Sequence, residues 1–587
     1  MNDDTQIYHP KNNVRIVTAT SLFDGHDASI NIFRRILQSS GAEVIHLGHN
    51  RAVKEVVDAA IEEDAQGIAI SSYQGGHMEF FTYMVDLLKE GGADHIKVFG
   101  GGGGVIVPEE IKELEAYGVA KIYSPEDGTR MGLQGIINHM IESMDYSRAD
   151  QASMDLTDLA PDNKLQVANM ITALEQAKAK ENGHLAKFRQ ELQSKIGDRV
   201  VPVLGITGTG GAGKSSLTDE LILRILHDLK DIRIAIISAD PSRRKTGGAL
   251  LGDRIRMNAI GSPRVYMRSI ATRRSHTEIP EALGEVLDVV KAAGYDLVIA
   301  ETAGIGQGDS HIIDLVDVSM YVMTSDFGAA SQLEKIDMLD FADLVVVNKY
   351  EKRGGEDAVR DVRKQVQRNR NAFDKIPDDM PVFGTIASKF NDDGVTALYH
   401  ALLDTIKEKT GVGFESSLPR VDTKQSTSKT IIIPPERTRY LAEIADTIRQ
   451  YHRETSEQAD AIRRVWHLEE SANTLTEGKL QGDSAVLLDR LKKEIVKARE
   501  RLDTETEKLV NDWKETKAAY AGDELVYTVR GKEIRVPLTT ESLSRQKIPK
   551  ISLPRFEDPG EIYTWLRREN LPGYFPYTAG VFPMKRV

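Results

Sequence analysis

A glycine-rich stretch near the middle of the chain constrains its fold more than any other feature. The stretch Gly208-Thr-Gly-Gly-Ala-Gly213-Lys214-Ser215 satisfies the pattern G-x-x-x-x-G-K-[ST]. An apolar run at 201–206 precedes it and a helical pattern at 217–229 follows it, which is the strand–loop–helix order that a phosphate-binding loop requires. The backbone N–H groups of such a loop and the positive end of the next helix converge on phosphate oxygens. The chain is therefore predicted to contain a P-loop domain, with a plain glycine-rich turn as the alternative.

The parts of this loop have distinct expected roles toward a nucleotide. Lys214 is expected to reach the terminal phosphates, and Ser215 is expected to ligate Mg²⁺. The predicted nucleotide-binding residues of the loop are Gly208, Gly210, Gly211, Ala212, Gly213, Lys214, Ser215 and Ser216.

Two carboxylates follow predicted strands of the same domain. Asp240 follows the apolar run 234–238, and Glu301 follows the run 297–300. Parallel strands end at one edge of their sheet, and carboxylate oxygens are ligands that Mg²⁺ prefers. A magnesium site formed by Ser215, Asp240 and Glu301 is therefore expected beside the P-loop.

A base-reading motif follows the strand at 344–347. Asn348 and Lys349 can contact the edge and the face of a base, and Glu351 can accept both hydrogen bonds from N1 and the exocyclic N2 of guanine. Adenine lacks these donors, so the motif favours GTP over ATP. Asn-Lys pairs are common, and the position at the end of a strand in a P-loop domain carries this prediction.

Residues 150–415 resemble the GTPase chaperones of adenosylcobalamin-dependent acyl-CoA mutases. The resemblance rests on Asp240-Pro-Ser, on 246–257 and on Glu301-Thr-Ala-Gly-Ile-Gly-Gln307. It implies Mg²⁺ binding by Asp240, Asp253 and Glu301, and a nucleotide contact by Arg256. The implied catalytic residues are Lys214, Glu301 and Gln307.

This sequence departs from that family at one motif and leaves one alternative open. Glu351 stands where Asp is usual, and its longer side chain is expected to weaken affinity or selectivity for GTP. For Asp253 and Arg256, an exposed salt-bridged loop is the alternative interpretation.

The first 145 residues alternate short apolar runs with helical patterns, which predicts a parallel sheet covered by helices on both faces. His26 follows the first strand, where doubly wound folds bind ligands, and Asp24 is close enough to hydrogen-bond its imidazole. A single histidine in a loop is more often structural or merely exposed than a metal ligand. Ser71 follows the third strand and five glycines, 100–104, follow the fourth, so both are expected at the same sheet edge.

Together these residues resemble the cobalamin-binding domain of acyl-CoA mutases, whose pattern is D-x-H-x-x-G, then S-x-L, then G-G. The matching residues are Asp24, His26, Ser71, Gly103 and Gly104, while Ser29 replaces Gly and Tyr73 replaces Leu. The resemblance implies that adenosylcobalamin binds with His26 as the lower cobalt ligand in place of dimethylbenzimidazole. It also implies that Ser71 hydrogen-bonds the displaced base and that Gly103 and Gly104 pack on its tail.

The last third of the chain has a different character. Residues 436–520 are strongly helical with a partial heptad pattern, and an antiparallel hairpin is favoured over a coiled-coil dimer. Residues 571–583 resemble the opening of the mutase substrate barrel, which gives Phe582 as a substrate contact. An ordinary proline/aromatic loop is the alternative for this segment.

The domain order resembles the family of fused isobutyryl-CoA mutases, represented here by its N-terminal portion. The predicted fold is α/β: a flavodoxin-like cobalamin-binding domain, a P-loop GTPase domain, a helical linker and the start of a TIM-barrel mutase domain. The predicted boundaries are 1–145 for the cobalamin domain, 146–198 for a helical connector, 199–415 for the GTPase, 416–545 for the helical linker and 546–587 for the truncated barrel.

The implied reaction is radical isomerisation of isobutyryl-CoA and butyryl-CoA, with GTP hydrolysis gating cofactor loading. A barrel needs on the order of 250 residues, so this chain alone is expected to bind cobalamin and hydrolyse GTP. A stand-alone GTP-regulated cobalamin carrier without mutase activity is the first alternative. A regulatory GTPase whose N-terminal domain senses another small ligand is the second.

Composition limits the partners. With 76 basic and 89 acidic residues the net charge is −13, which disfavours nucleic-acid binding. The sequence has no cysteine, so it has no disulfide framework and no thiolate metal site. No signal peptide or membrane-spanning run is recognised, and a cytoplasmic location with no membrane partner is expected. The expected partners are GTP, an acyl-CoA in the complete protein, and a second copy in a homodimer.

Overall fold

The computed structural model describes most of the 587-residue chain. The described residues are 6–148, 155–179, 185–243, 245–251, 253–273, 279–302, 311–327, 333–334, 336–427, 440–477, 484–529, 532–542, 544–551 and 553–568. The chain forms two compact units, residues 1–438 and residues 439–587.

The first unit is an α/β structure with two parallel sheets. Its strands are β1 (Arg15–Ser21), β2 (Glu43–Arg51), β3 (Gly67–Ser71), β4 (Lys97–Gly101), β5 (Lys121–Tyr123), β6 (Val203–Gly208), β7 (Ile234–Asp240), β8 (Ala249–Leu251), β9 (Val265–Ala271), β10 (Leu297–Glu301), β11 (Val318–Met323), β12 (Leu344–Asn348) and β13 (Val382–Thr385).

Helices cover both faces of each sheet. They are α1 (Ala28–Ser39), α2 (Val53–Glu62), α3 (His77–Glu90), α4 (Pro108–Tyr117), α5 (Pro125–Met144), α6 (Lys164–Ala179), α7 (Leu185–Ile196), α8 (Lys214–Asp228), α9 (Leu283–Ala293), α10 (Met338–Phe341), α11 (Gly355–Asn369) and α12 (Asp393–Thr410). Short 3₁₀ helices lie at Asp253–Arg256, Ala259–Gly261, His311–Leu315, Ser325–Phe327 and Pro377–Asp379.

The N-terminal sheet has the strand order β5-β4-β3-β1-β2-β8. Its first five strands follow the flavodoxin-like order, in which β1 and β3 flank the topological switch point and ligands bind at the carboxyl edge. The sixth strand, β8, comes from the second half of the unit and pairs in parallel with β2, with Glu43 opposite Ala249. A segment of the P-loop part of the chain therefore completes the edge of the N-terminal sheet.

The second sheet has the order β13-β12-β11-β6-β10-β7-β9, and all its strand pairs are parallel. The P-loop strand β6 lies between β11 and β10, and β7 follows on the β10 side. The carboxyl ends of β6, β10 and β7 are therefore neighbours, which is the arrangement that the magnesium prediction requires.

Helices α6 and α7, predicted as a connector, belong to the core of this second sheet. Val167, Ile171 and Leu174 of α6 are fully buried there, and Phe188 of α7 is 3% exposed. Residues 416–427, predicted as the start of a linker, also contact this part of the unit, because Gln425 bridges to Gly384 and the Ser426 hydroxyl donates to Asp392.

The second unit is mostly helical. It contains α13 (Tyr440–Glu477), α14 (Ser484–Arg499), α15 (Thr504–Asn511), α16 (Trp513–Tyr520), the hairpin β14 (Glu524–Val529) and β15 (Lys532–Pro537), the hairpin β16 (Thr539–Glu541) and β17 (Lys547–Pro549), and α17 (Pro559–Arg567). Helices α13 and α14 run antiparallel, with an ion pair between Glu469 and Arg499, so the predicted helical hairpin is present. None of the helices built from described residues has the length and apolar character needed to cross a bilayer.

The predicted α/β fold is confirmed, and most strand predictions agree with the structure to within two or three residues. Two strands of the first unit, β8 and β9, were not predicted. β8 is only three residues long, and β9 carries Arg268 and Ser269 as buried polar residues that interrupt its apolar pattern.

Candidate functional site

The P-loop has the backbone that close approach to phosphate requires. Gly208 has a φ of +149°, and a Cβ at this position would lie 1.9 Å from the carbonyl oxygen of Val322 on β11. Gly213 has a φ of +88°, and a Cβ there would lie 2.6 Å from Nδ2 of Asn348. Only glycine fits at these two positions. The loop then enters α8 at Lys214, so its N–H groups and the positive helix end face one region.

The predicted phosphate and magnesium residues meet at the start of α8. The Ser215 hydroxyl donates to Oε1 of Glu301 at 2.8 Å, and the Thr218 hydroxyl donates to Oε2 of the same carboxylate at 3.1 Å. Glu301 is only 2% exposed at the end of β10. Lys214 curls back over the loop, with Nζ 3.3 Å from the carbonyl oxygen of Gly208. The remaining predicted loop contacts, Gly210, Gly211, Ala212 and Ser216, lie in the same loop and in the first turn of α8.

The carboxylates fit a magnesium ion held partly by phosphate. Asp240 ends β7, the strand next to β10, so it lies at the same sheet edge as Glu301. Within the described ranges no three His, Cys, Asp or Glu side chains converge as a metal centre. Mg²⁺ bound to nucleotides commonly takes only one or two protein oxygens beside phosphates and water, so the pair of Ser215 and Glu301 with Asp240 nearby satisfies that requirement. Asp253 begins a 3₁₀ helix, and its side chain lies outside the described part of the structure.

The base-reading residues contact the P-loop directly. The Asn348 side chain donates to the carbonyl oxygen of Ala212 at 2.8 Å, and its Oδ1 accepts from the Thr385 hydroxyl and the Ala387 N–H. Nζ of Lys349 donates to the carbonyl oxygen of Gly211 at 2.7 Å. Among the described residues nothing hydrogen-bonds to the buried Oε2 of Glu351, so this carboxylate has an unused acceptor.

The two arginines of 253–256 lie in different environments. Arg256, the predicted nucleotide contact, is exposed. Arg254 is buried and forms ion pairs with Glu62 at 2.5 Å and with Glu63 at 2.8 Å, both at the end of α2. Sequence analysis missed Arg254 because its partners lie about 190 residues away in the chain.

The predicted cobalt ligand, His26, is well exposed and held by a buried carboxylate. Nδ1 of His26 lies 2.8 Å from Oδ1 of Asp24, the His26 side chain is 77% exposed, and that of Asp24 is fully buried. Burial raises the pKa of the Asp24 carboxyl, but hydrogen bonds from the Tyr73 and His26 N–H groups and from the imidazole outweigh burial and bring the pKa below its ordinary value. An ionised Asp24 accepts from Nδ1–H, which leaves the Nε2 lone pair of His26 directed away for a metal.

A cavity of about 410 Å³ lies beside this loop, between α1, α5 and the ends of β3 and β4. Its wall includes the predicted residues Ser71 and Gly103, and Tyr73 lies between the cavity and His26. Most of the wall is apolar, and its apolar side chains include Ile30, Phe33, Phe99, Tyr123, Ile136 and Met140.

The glycines at the end of β4 line the cavity and allow close approach of neighbouring segments. A Cβ on Gly102 would lie 2.2 Å from the carbonyl oxygen of Ser72, and Gly103 has a φ of +54°. Gly104 is beside Pro125 rather than in the wall itself. An apolar slot of this volume next to an exposed imidazole fits a cobalamin whose base enters the protein.

Two predicted site residues cannot be placed. Gln307, predicted as catalytic, and Phe582, predicted as a substrate contact, lie outside the described residues, and so does the barrel-like segment 571–583.

The two candidate sites are linked by the segment that leaves Asp240. This segment forms β8 on the edge of β2 and then the 3₁₀ helix Asp253–Arg256. Ile255 fills the space over Gly48 of β2, with Cδ1 2.9 Å from where a Cβ would lie. At the end of β2, Oδ1 of Asn50 accepts from the N–H of Phe23 at 2.7 Å, next to Asp24. Described residues of this segment thus contact β2, and β2 in turn contacts the His26 loop.

Two family profiles match the chain. Residues 167–477 match "Methylmalonyl Co-A mutase-associated GTPase MeaB", and residues 14–132 match a B12 binding domain. The first match covers the P-loop sheet, and the second covers the His26 loop and most of the residues that line the cavity.

Comparison with complete protein sequences also places the chain among proteins that combine these two domains. A fused isobutyryl-CoA mutase of Geobacillus kaustophilus (strain HTA426) is 56% identical over 582 residues, which are 99% of this chain and 53% of that protein. A fused isobutyryl-CoA mutase of Cupriavidus metallidurans (strain ATCC 43123 / DSM 2839 / NBRC 102507 / CH34) is also 56% identical over 582 residues, covering 98% of this chain and 52% of that protein. The chain thus spans about half the length of these relatives. The resemblance predicted from the motifs is confirmed.

Proposed function

Because the chain belongs to the family of methylmalonyl-CoA mutase-associated GTPases, MeaB, we propose that it hydrolyses GTP at its P-loop and holds adenosylcobalamin for an acyl-CoA mutase reaction. The GTPase proposal is carried by the hydrogen bond from Ser215 to Glu301 beside the P-loop, together with the hydrogen bond from Asn348 to the P-loop backbone. The observation that carries the cobalamin part is the exposed His26, fixed by Asp24 next to the apolar cavity.

In the GTPase site the residues divide into three tasks. Backbone N–H groups of 208–213 and the ammonium of Lys214 bind the phosphates and stabilise charge that develops on them. Ser215, Glu301 and Asp240 would hold Mg²⁺, which supplies neutralisation of phosphate charge. Glu351 accepts from guanine, and the bonds from Asn348 and Lys349 to the P-loop keep the base and phosphate regions in fixed register.

In the cofactor site the protein supplies position and exclusion of water. His26 would hold the cobalt of the cofactor through Nε2, Asp24 fixes the His26 tautomer, and the cavity, with Ser71 and Gly103 in its wall, would hold the cofactor's aromatic base. Bound adenosylcobalamin supplies radical chemistry through homolysis of its cobalt–carbon bond.

In the complete protein this radical chemistry serves isomerisation of isobutyryl-CoA and butyryl-CoA. The support is the relatives named as fused isobutyryl-CoA mutases, of which this chain spans about half. The acyl-CoA contact is assigned to Phe582, within the barrel segment 546–587. The functional assembly is a homodimer, as is common for GTPases of this class.

GTP hydrolysis gates cofactor loading through the segment between β7 and β9. This segment starts at the magnesium-binding Asp240, pairs with β2 and contacts Gly48 through Ile255. If this segment moves when GTP is hydrolysed, the movement shifts the end of β2, where Asn50 hydrogen-bonds the loop that carries His26. A two-state segment that contacts both sites is a physical basis for such coupling.

The GTPase proposal is tested by phosphate release from the purified chain with GTP and with ATP, in the presence and absence of Mg²⁺. Lys214→Ala is expected to reduce turnover by at least about 100-fold, because it removes the charge nearest the transferred phosphate, while the exposed Lys54→Ala serves as control. Unchanged GTP turnover in Lys214→Ala would refute the assignment.

The cobalamin proposal is tested separately by absorbance titration with adenosylcobalamin. The expected result is the spectral change of base-off binding, lost in His26→Ala and retained in His227→Ala, an exposed histidine on α8. Retention of the change in His26→Ala would remove His26 as the ligand. A butyryl-CoA and isobutyryl-CoA assay on the full-length protein then tests the mutase reaction.

A further inference from the structure

Tyr73 is fixed at four points between His26 and the cavity. Its N–H donates to Oδ2 of Asp24 at 2.5 Å, while the other oxygen of that carboxylate accepts from His26. Its ring centroid lies 5.4 Å from that of His26. The ring also fills the space beside Gly103, with Cε1 2.4 Å from where a Cβ would lie.

The fourth point is a hydrogen bond to Ser29. The Tyr73 hydroxyl and the Ser29 hydroxyl are 2.9 Å apart, and this bond joins the loop after β3 to the first turn of α1. Both residues line the cavity. They are also the two positions at which this chain departs from the D-x-H-x-x-G and S-x-L pattern, so the two departures form one interaction.

We propose that the Ser29–Tyr73 hydrogen bond is a specificity element that holds the Tyr73 ring as the wall between His26 and the cavity, so that the site selects corrinoids carrying a lower aromatic base. The inference rests on the proposed cobalamin function and adds Ser29 and Tyr73 as residues that recognise the aromatic base of the cofactor in the cavity. Asp24 holds His26 without help from the Tyr73 hydroxyl, since the carboxylate bonds come from the Tyr73 backbone. Loss of the hydroxyl bond therefore loosens the wall and leaves the metal ligand in place.

The reason for selectivity is preorganisation. A ring fixed before binding loses little conformational freedom when an apolar group packs against it, whereas a loose ring must be ordered at the cost of affinity. A corrinoid that lacks the base does not fill the cavity and gains nothing from a fixed wall. The Ser29–Tyr73 bond should therefore affect tailed and tail-less corrinoids differently.

The test compares adenosylcobalamin with adenosylcobinamide, which lacks the nucleotide base, by absorbance titration of the same chain. In Tyr73→Phe and in Ser29→Ala the ratio of the two affinities is expected to fall by about 3- to 10-fold, the effect of one neutral hydrogen bond. The double variant should lose no more than either single variant, because both remove the same bond. Ser29→Thr keeps the hydroxyl and should keep most of the ratio, and Tyr117→Phe, in the same domain, is the matched control.

The outcomes separate the two proposals. If the wild-type chain binds neither corrinoid, the cobalamin function fails and this inference fails with it. If the wild type shows base-off binding but Tyr73→Phe and Ser29→Ala weaken both corrinoids equally, Tyr73 acts on His26 or on folding, and the specificity role is wrong. An unchanged ratio in both variants, with wild-type binding intact, also overturns it.

Discussion

Arg254 offers a stringent test of how the two sheets of the first unit are joined. Its side chain is 3% exposed, forms ion pairs with Glu62 and Glu63, and donates to the carbonyl oxygen of Met267. Removing one partner of a buried ion pair costs roughly 3–5 kcal/mol, because the other charge stays buried. In Arg254→Met, Glu62 keeps Lys164 at 2.7 Å and Glu63 keeps Arg15 at 3.0 Å. The expected loss in the free energy of unfolding is therefore at the low end, about 3 kcal/mol.

The measurement is urea unfolding at neutral pH, followed by circular dichroism. With a slope of about 3 kcal/mol per molar, this loss lowers the midpoint of the first unit by about 1 M. The matched control is Arg420→Met, which removes an arginine of similar length from a solvent-exposed pair with Asp404 and should leave the midpoint unchanged. Equal midpoints for the two variants would show that the buried ion pairs of Arg254 do not hold the two sheets together.

Three further predictions address the two sites and the pH dependence of folding stability. Glu351→Gln replaces one of the two acceptor oxygens by an NH2 donor, so the side chain can no longer accept from both N1–H and N2–H of guanine. The preference for GTP over ATP in steady-state hydrolysis is therefore expected to fall toward unity, and a retained preference would mean that another group reads the base. Asn50→Gly suits the positive φ of +56° at this position but removes the hydrogen bond to the Phe23 N–H. The affinity for adenosylcobalamin should fall, while GTP turnover without cobalamin should be unchanged. If the variant bound adenosylcobalamin as tightly as the wild type, this contact would not belong to the path between the sites. Burial, and then the charge of Arg34, lower the pKa of His46 to about 4. Between about pH 6.5 and about pH 4 the unfolded chain therefore binds a proton at His46 that the folded chain does not, and the free energy of unfolding should fall as the pH drops through this range. In urea titrations His46→Gln should flatten this pH dependence, and an unchanged dependence would show that another group titrates.

Local patterns in the sequence predicted most of the fold. The P-loop and the strand that precedes it are defined by neighbours within about fifteen residues, and the strands at 203–208 and 344–348 contain short apolar runs. These patterns depend only on neighbouring residues in the sequence, so they can be recognised without knowledge of the tertiary structure. The expected meeting of Ser215 with Glu301 followed from the rule that parallel strands end at one edge.

Contacts between distant segments could not be predicted. Nothing near Arg254 indicates that its partners lie on α2, and nothing near Ser29 indicates that Tyr73, 44 residues later, completes its hydrogen bond. The helices at 164–196 were predicted as a connector because their composition is polar, yet their buried face packs into the core of the P-loop sheet. In each case the deciding interaction is made by tertiary packing rather than by local pattern.

The pairing of β8 with β2 has a consequence for dissecting this protein. A fragment ending near residue 145 would contain every residue of the cobalamin site but would leave β2 as the last strand of its sheet, with the backbone groups opposite Glu43–Ile45 open to any other extended chain. Open edges of this kind promote strand addition between molecules and aggregation. An isolated cobalamin module should therefore self-associate unless its β2 edge carries added charge or a proline, and a donor peptide with the sequence of 248–251 should suppress that association.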